Sequence, residues 1–203
     1  LPDDLLSQKI REIRMIGRIT CHEENADALR RALNDRASQA RFKTIPAGFE
    51  LIEGPLDIGP AVLSSLPARR LHCTGRVRVE PDVDEALLND RLEALRSEDM
   101  VLCPAALRKV MARKCDPLET RTVFYDGELW EVDAELELGA SRFDYLEGEA
   151  TLVVSGELTI SPDVEPRTLA ERLAMVHNFG EIYCTPEQMG AIQARLGFSE
   201  GEL

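Results

Sequence analysis

Residues 155–164 read SGELTISPDV, and residues 74–83, exactly 81 positions earlier, read TGRVRVEPDV. Extending the comparison without a gap sets Gly156 on Gly75, Pro162-Asp163-Val164 on Pro81-Asp82-Val83, Leu169 on Leu88, Arg172-Leu173 on Arg91-Leu92, and Cys184 on Cys103. A match of this length marks a repeated structural unit, not one short motif. In GELTI the apolar Leu158 and Ile160 alternate with Glu157 and Thr159, the period of a strand with one buried face. Pro162 and Asp163 end that strand, and Asp163 is suited to cap a helix start. Leu169, Leu173 and Val176 then recur at helical spacing, which predicts a helix running to Asn178-Phe179, with Gly180 in the left-handed position that stops it. EIYC predicts a strand, and TPEQMGAIQARLG a helix with Pro186 in its first turn. The earlier copy repeats this order as GRVRV, a helix carrying Leu88, Leu92 and Leu95, the strand MVLC, and the helix PAALRKVMARK.

A weaker copy opens the chain. In MIGRITCHEENADALRRAL, Gly17, Ile19 and Cys21 take the places of Gly75, Val77 and Val79, and Leu29 and Leu33 mark a helix. FKTIPAGFELIEGPLDIGPAVLSSLP predicts strand, turn, strand and a short helix, and LWEVDAELELGA a strand. Strand starts at Gly54, Gly75, Asp99, Gly127, Gly156 and Gly180 are 21, 24, 28, 29 and 24 residues apart, the coil length of an α/β solenoid. The expected organisation is one solenoid domain over 1–203: a weak repeat at 10–45, clear repeats at 66–115 and 147–197, and irregular strand-rich coils at 46–65 and 116–146. Stacking explains the repetition, because one strand and one helix cannot bury their apolar faces alone while similar units side by side cover each other. Val77 and Leu158 are then expected on one ladder of strands.

This pattern resembles the leucine-rich-repeat proteins, with a strand and a helix or extended loop per coil and a Cys or small residue closing the strand layer, but without the asparagine of that family's consensus. The resemblance implies an α/β repeat solenoid of mostly parallel strands, and a noncatalytic protein-binding or scaffold role.

Bulk composition fits that expectation. The chain is 44 % hydrophobic and 30 % charged, as ordinary globular proteins are, and its 5 % aromatic content predicts narrow layers of Leu, Val, Ile and Ala. No apolar run is long enough to span a bilayer, and the start has no signal-peptide pattern, so a soluble cytoplasmic protein without membrane contact is expected. Five cysteines with no CxxC pair argue against a disulfide framework or a four-thiolate zinc site. The net charge of −13 comes from the last part: residues 126–203 hold 4 Lys+Arg against 17 Asp+Glu, whereas residues 1–125 hold 20 of each. An acidic surface of this kind repels nucleic-acid phosphates.

Three groups are candidates for chemistry. Cys184, between a strand and a helix and seven residues after His177, has the setting of a thiol nucleophile, but its repeat partner Cys103 pairs instead with Arg96, which is no base. A thiol-dependent enzyme is thus the alternative to a column of packed cysteines. Cys21, His22, Glu23 and Glu24 bring ligand types together, but neighbours on a strand point to opposite faces, and neither a metal nor another cofactor is expected. Glu131, Asp133, Glu135 and Glu137 alternate with apolar residues, so a single strand here would carry a line of four carboxylates: a solvated face, or a docking strip for a basic partner. Arg30, Arg31 and Arg36 supply a basic counterpart near the other end, which raises end-to-end self-association, or a structural subunit of a larger assembly.

Overall fold

The structure, a computed structural model, describes residues 18–33 and 41–203. It is an α/β fold whose strands are mostly parallel and fall into several sheets, with seven α-helices among the described residues. In chain order come β1 (Arg18–His22), α1 (Glu23–Leu33), β2 (Arg41–Ile45), β3 (Glu50–Ile52), β4 (Leu56–Ile58), α2 (Pro60–Ser65), β5 (Arg70–Cys73), β6 (Val77–Val79), α3 (Glu85–Arg91), β7 (Ala94–Ser97) and β8 (Met100–Pro104). A 3-10 turn and α4 (Arg108–Met111) follow, then β9 (Arg121–Tyr125), β10 (Glu128–Val132), β11 (Glu135–Leu138), α5 (Ser141–Asp144), β12 (Ala150–Val154) and β13 (Glu157–Ile160). The chain closes with α6 (Pro166–Arg172), β14 (Leu173–Asn178), β15 (Glu181–Tyr183), α7 (Pro186–Gln193) and β16 (Leu196–Ser199). The sheets run β1-β2, β3-β5-β7, β4-β6-β8-β9, β10-β12-β14-β16 and β11-β13-β15. No helix among the described residues is long and apolar enough to cross a membrane.

Two compact units divide the described chain, one reaching through Arg78 and adding Asp82–Val101 and Val110–Arg121, the other comprising Val79–Pro81, Leu102–Lys109 and Thr122–Leu203. In the first unit β3, β5 and β7 pair in parallel, Leu51 against His72 and His72 against Arg96. At the turn before β6, a side chain on Gly75 would stand 2.6 Å from the backbone carbon of Gly54. Asp84 caps α3 by accepting from the N–H groups of Ala86 and Leu87 at 2.9 and 3.0 Å, as the sequence PDVDEALL permits.

The second unit repeats one path: strand, sharp turn, strand, helix. Parallel partners are offset by nearly one coil, with Trp130 on Leu152 and Leu152 on Val176 in one sheet, and Leu136 on Leu158 and Leu158 on Ile182 in the other. Their inward side chains make one core with Leu138, Ile160, Val164, Leu169, Leu173 and Ile192. At the turns main chain touches main chain. A Cβ on Gly156 would lie 2.7 Å from the Ala134 nitrogen, on Gly180 2.8 Å from the Ser155 carbonyl carbon, and on Gly201 2.7 Å from the Gly180 nitrogen. The turns are also bonded coil to coil, as Glu157, Glu181 and Glu202 donate their N–H groups to the carbonyls of Ala134, Gly156 and Gly180.

On the helix side, carbonyls left over at the ends of α5 and α6 receive cations from the next coil: Arg172 donates to Phe143 and Leu146, and Arg195 to Ala170. Gln188, buried in α7, closes a capping box with Thr185 and donates its Nε2 to the carbonyls of Ser161 and Val164 at 2.9 and 2.7 Å.

Several expectations are corrected. Leu92, Leu95, Leu173 and Val176 are not helical: α3 stops at Arg91, two residues before β7, and α6 stops at Arg172, directly before β14. A short helix followed by a half-buried strand buries the same apolar spacing as a long helix, and parallel pairing with β5 and β12 decides between them. Gly180 is no helix stop; it is not among the glycines of positive φ, and its lack of a side chain serves the close approach to the neighbouring turn. Asp163 does not cap α6, whose N-cap is Glu165; it accepts instead from the Ala140 N–H at 3.4 Å. Val77 and Leu158 hold the same place in the local path but lie in different sheets: the sheet of β6 continues across residues 105–120 to β9 and ends there, while β13 belongs to the sheet that starts at β11. Gly17 lies outside the described residues.

Gly180→Ala is expected to destabilise by about 1–3 kcal/mol or more, since the added methyl must push two backbones apart. Gly190→Ala, inside α7 where no other described residue would stand within 4 Å of the new methyl beyond the helix's own backbone and the chain neighbours, is expected to stabilise by about 0.5–1 kcal/mol. Urea titration of both variants checks the pair; a harmless Gly180→Ala would remove the close-approach account.

Candidate interaction surface

The outward side chains of β11, β13 and β15 define the most regular polar surface of the second unit. In-register pairing sets Glu135 beside Glu157 and Glu157 beside Glu181, and a further bridge sets Glu181 beside Glu202. All four are exposed. Neighbouring strands are about 4.8 Å apart, so the carboxylates form a row across the sheet, not along one strand. The next outward row is Glu137, Thr159 and Tyr183, with Tyr183 half exposed at 51 %. The Tyr183 hydroxyl donates to the Glu181 carboxylate, and this bond, together with the charges of Glu181, Glu157 and Glu202, raises the phenol above its ordinary pKa. Beneath the surface, Leu136, Leu158 and Ile182 alternate inward to the core.

The predicted line of four carboxylates is therefore redistributed. The chain turns at Asp133-Ala134, so that WEVDAELEL makes two strands in two sheets instead of one. Glu131 sits half-buried on β10 in one sheet, Asp133 is exposed in the turn, and Glu135 and Glu137 stand on β11 in the other. The stack of turns forces this split, because Ala134 is the first member of the column continued by Gly156, Gly180 and Gly201. Glu157, Glu181, Glu202 and Tyr183 belong to the face but were not singled out from the sequence. Their signal is the dipeptide Gly-Glu at 156–157, 180–181 and 201–202, with the glycine in the turn and the glutamate facing out; the same dipeptide at 127–128 and 148–149 lies off this face, so only the coil spacing singles out the three.

The basic candidates belong to the first unit, the acidic face to the second. Arg30 and Arg31 occupy the last turn of α1, where Arg30 pairs with Asp27 at 3.0 Å and lies over the Phe42 ring at 5.2 Å. Arg36 lies outside the described residues.

The thiol candidate has a packing environment. Cys184 is half-buried against the core of the second unit, and burial pushes its thiol above the ordinary value, opposite to what a nucleophile needs. Its repeat partner Cys103 is buried on β8. Cys73 is buried too, and its thiol is pushed up to about 11 by burial, with Cys115 adding to the effect. His177 accepts the Phe198 N–H on its Nδ1 at 3.1 Å, which occupies the lone pair a base would use. Among the described residues no group of three or more His, Cys, Asp or Glu side chains could hold a metal ion, and Cys21-His22 and Glu23-Glu24 divide between β1 and α1.

In the first unit, Glu98 joins Lys43 to His72, with His72 Nε2 at 2.9 Å. Burial pushes this carboxyl up, but the bonds and charges of Lys43 and His72 outweigh it and hold Glu98 below the usual range. Such a compensated cluster ties β2 and β5 to the turn after β7.

No family model matches the chain, and neither a curated protein nor a solved structure matches it.

Glu157 has a carboxylate on each side, and like charges on adjacent strands destabilise. Glu157→Gln is expected to stabilise by roughly 0.3–1 kcal/mol at low salt, and the gain is expected to vanish in molar salt. Thermal melts at two ionic strengths check this; a destabilised variant would show that the row is held by bonds instead of opposed by repulsion.

Proposed function

We propose that the chain is a noncatalytic protein-binding module, built as a repeat solenoid within each unit, whose acidic sheet face captures a basic protein segment. The carrying observation is the row Glu135, Glu157, Glu181 and Glu202 set in register by parallel pairing. Strand partners offset by 20 to 24 residues support the repeat reading, because such an offset is one coil of strand, turn, strand and helix. A row of adjacent carboxylates is an unfavourable arrangement for the isolated protein, and lysine or arginine side chains arriving at strand spacing relieve it. Tyr183 beside the row adds a flat, amphipathic contact of the kind that binding surfaces use. A separate basic protein fits better than end-to-end self-association, since Arg30 is already paired within its own helix. Against the thiol-enzyme alternative stand the raised Cys184 pKa and its packing against the core.

The test uses defined extended peptides rich in Lys and Arg, titrated onto the whole chain. Binding is expected to weaken at least tenfold between about 50 and 200 mM salt. Combined Glu135→Lys, Glu157→Lys and Glu181→Lys is expected to abolish it, while Glu131→Lys with Asp133→Lys leaves most of it. Equal binding by a triple variant of unchanged circular dichroism would overturn the reading, as would a salt-independent affinity.

A further inference from the structure

The pairing of β16 with β14 contains an irregularity. Val176 pairs with Leu196 and Asn178 with Ser199, so that β16 spends three steps where β14 spends two. A strand with one residue too many leaves a main-chain group outside the ladder. Here that group is the Phe198 N–H, and its acceptor is Nδ1 of His177, at 3.1 Å. The site is shaped to the ring. Gly197 passes so close that a Cβ there would stand 2.7 Å from Nδ1, and the Phe198 ring covers the imidazole at a centroid distance of 5.5 Å. Phe179 stacks beyond Phe198 at 6.1 Å.

His177 is only 3 % exposed, and its Nε2 is buried without a hydrogen-bond partner among the described residues. Because Nδ1 accepts, the ring is neutral with its proton on Nε2. Among the described residues, the groups around it offer an imidazolium no compensation. From β12 the strand partner is Val153; from β16 come Gly197 and Phe198; and on β14 the neighbours are Val176 and Asn178. In the same row the nearest carboxylate is Glu131 on β10, beyond Val153 and so about two strand spacings away. Arg195, the residue before β16, is engaged with the Ala170 carbonyl. Burial accordingly pushes the imidazole down to about 4.

We propose that His177 is an acid-sensitive latch on the extra residue of β16: protonation of Nδ1 turns the acceptor into a donor, strands the Phe198 N–H, and frees residues 196–198 from the edge of β14. The release is local. Asn178 continues to hold the following segment, since its Nδ2 donates to the Glu202 carbonyl at 2.8 Å and its own carbonyl accepts from Glu200 and Gly201. The sign follows from the direction of the shift. A histidine held neutral in the folded chain stabilises the closed strand fully above its unfolded pKa of about 6.5, and this contribution is lost as pH falls toward about 4.

Hydrogen exchange of the Phe198 amide, corrected for the intrinsic pH dependence of exchange, reads the latch. Between pH 7.5 and 5.0 its opening equilibrium is expected to rise about 30-fold, while amides of β12 and β13 stay unchanged. His177→Asn puts a non-titrating acceptor near the Nδ1 position and is expected to flatten that dependence. Should the variant fail to fold, the native protein gives the answer through NMR: the His177 ring shifts and Phe198 exchange must titrate with the same midpoint. Opening that is independent of pH, or equally dependent in His177→Asn, or that titrates apart from the ring, would overturn the proposal.

Discussion

Main chain lying directly on main chain at the turns is the constraint on which the rest of the second unit depends. Where Ala134, Gly156, Gly180 and Gly201 stack, there is no room for a side chain between successive coils. That contact fixes the separation of the coils to one strand spacing, and with it the register of both flanking sheets. Once register is set, every inward position meets its counterpart. The core can then be filled by repeated Leu, Val and Ile, with Trp130 and Phe143 as its large rings. A chain with few aromatic residues can pack well in this way, because each layer is thin and its neighbours supply the cover.

The helix side follows different physics. Short helices of four to eight residues leave many end carbonyls, and here the partners are long cationic side chains from an adjacent coil, or the buried amide of Gln188. These links reach across gaps that main chain does not close, so helix length can vary from coil to coil while the strands keep their register. Rigid turns and adjustable helix ends together explain why strand offsets stay within 20 to 24 residues although the helices differ.

Much of this was legible in the sequence, and the failures share a cause. Strand positions after Gly54, Gly75, Asp99, Gly127, Gly156 and Gly180 were readable because alternation and a preceding glycine or aspartate leave local marks. The strands β7 and β14 were not, since Leu92, Leu95, Leu173 and Val176 fit a helical stripe equally well, and only pairing with residues more than twenty positions away selects the strand. The same holds for the acidic face. Glu135 and Glu137 could be found from alternation within one segment, whereas Glu157, Glu181 and Glu202 join them only through register. The environment of His177 was equally hidden, because the irregular residue of β16 that it satisfies is a property of two strands compared, not of either alone.

The spacing of the glutamate row has a thermodynamic corollary. Two unit charges in water match thermal energy at a separation of about 7 Å, and these glutamates spring from strands whose backbones are only about 4.8 Å apart. Such a row is expected to gather small cations from solution, as a short polyelectrolyte does. Under the proposed binding, a polycation seated on it would send those ions back to bulk, so that its attachment would draw its driving force from their regained freedom and little from heat.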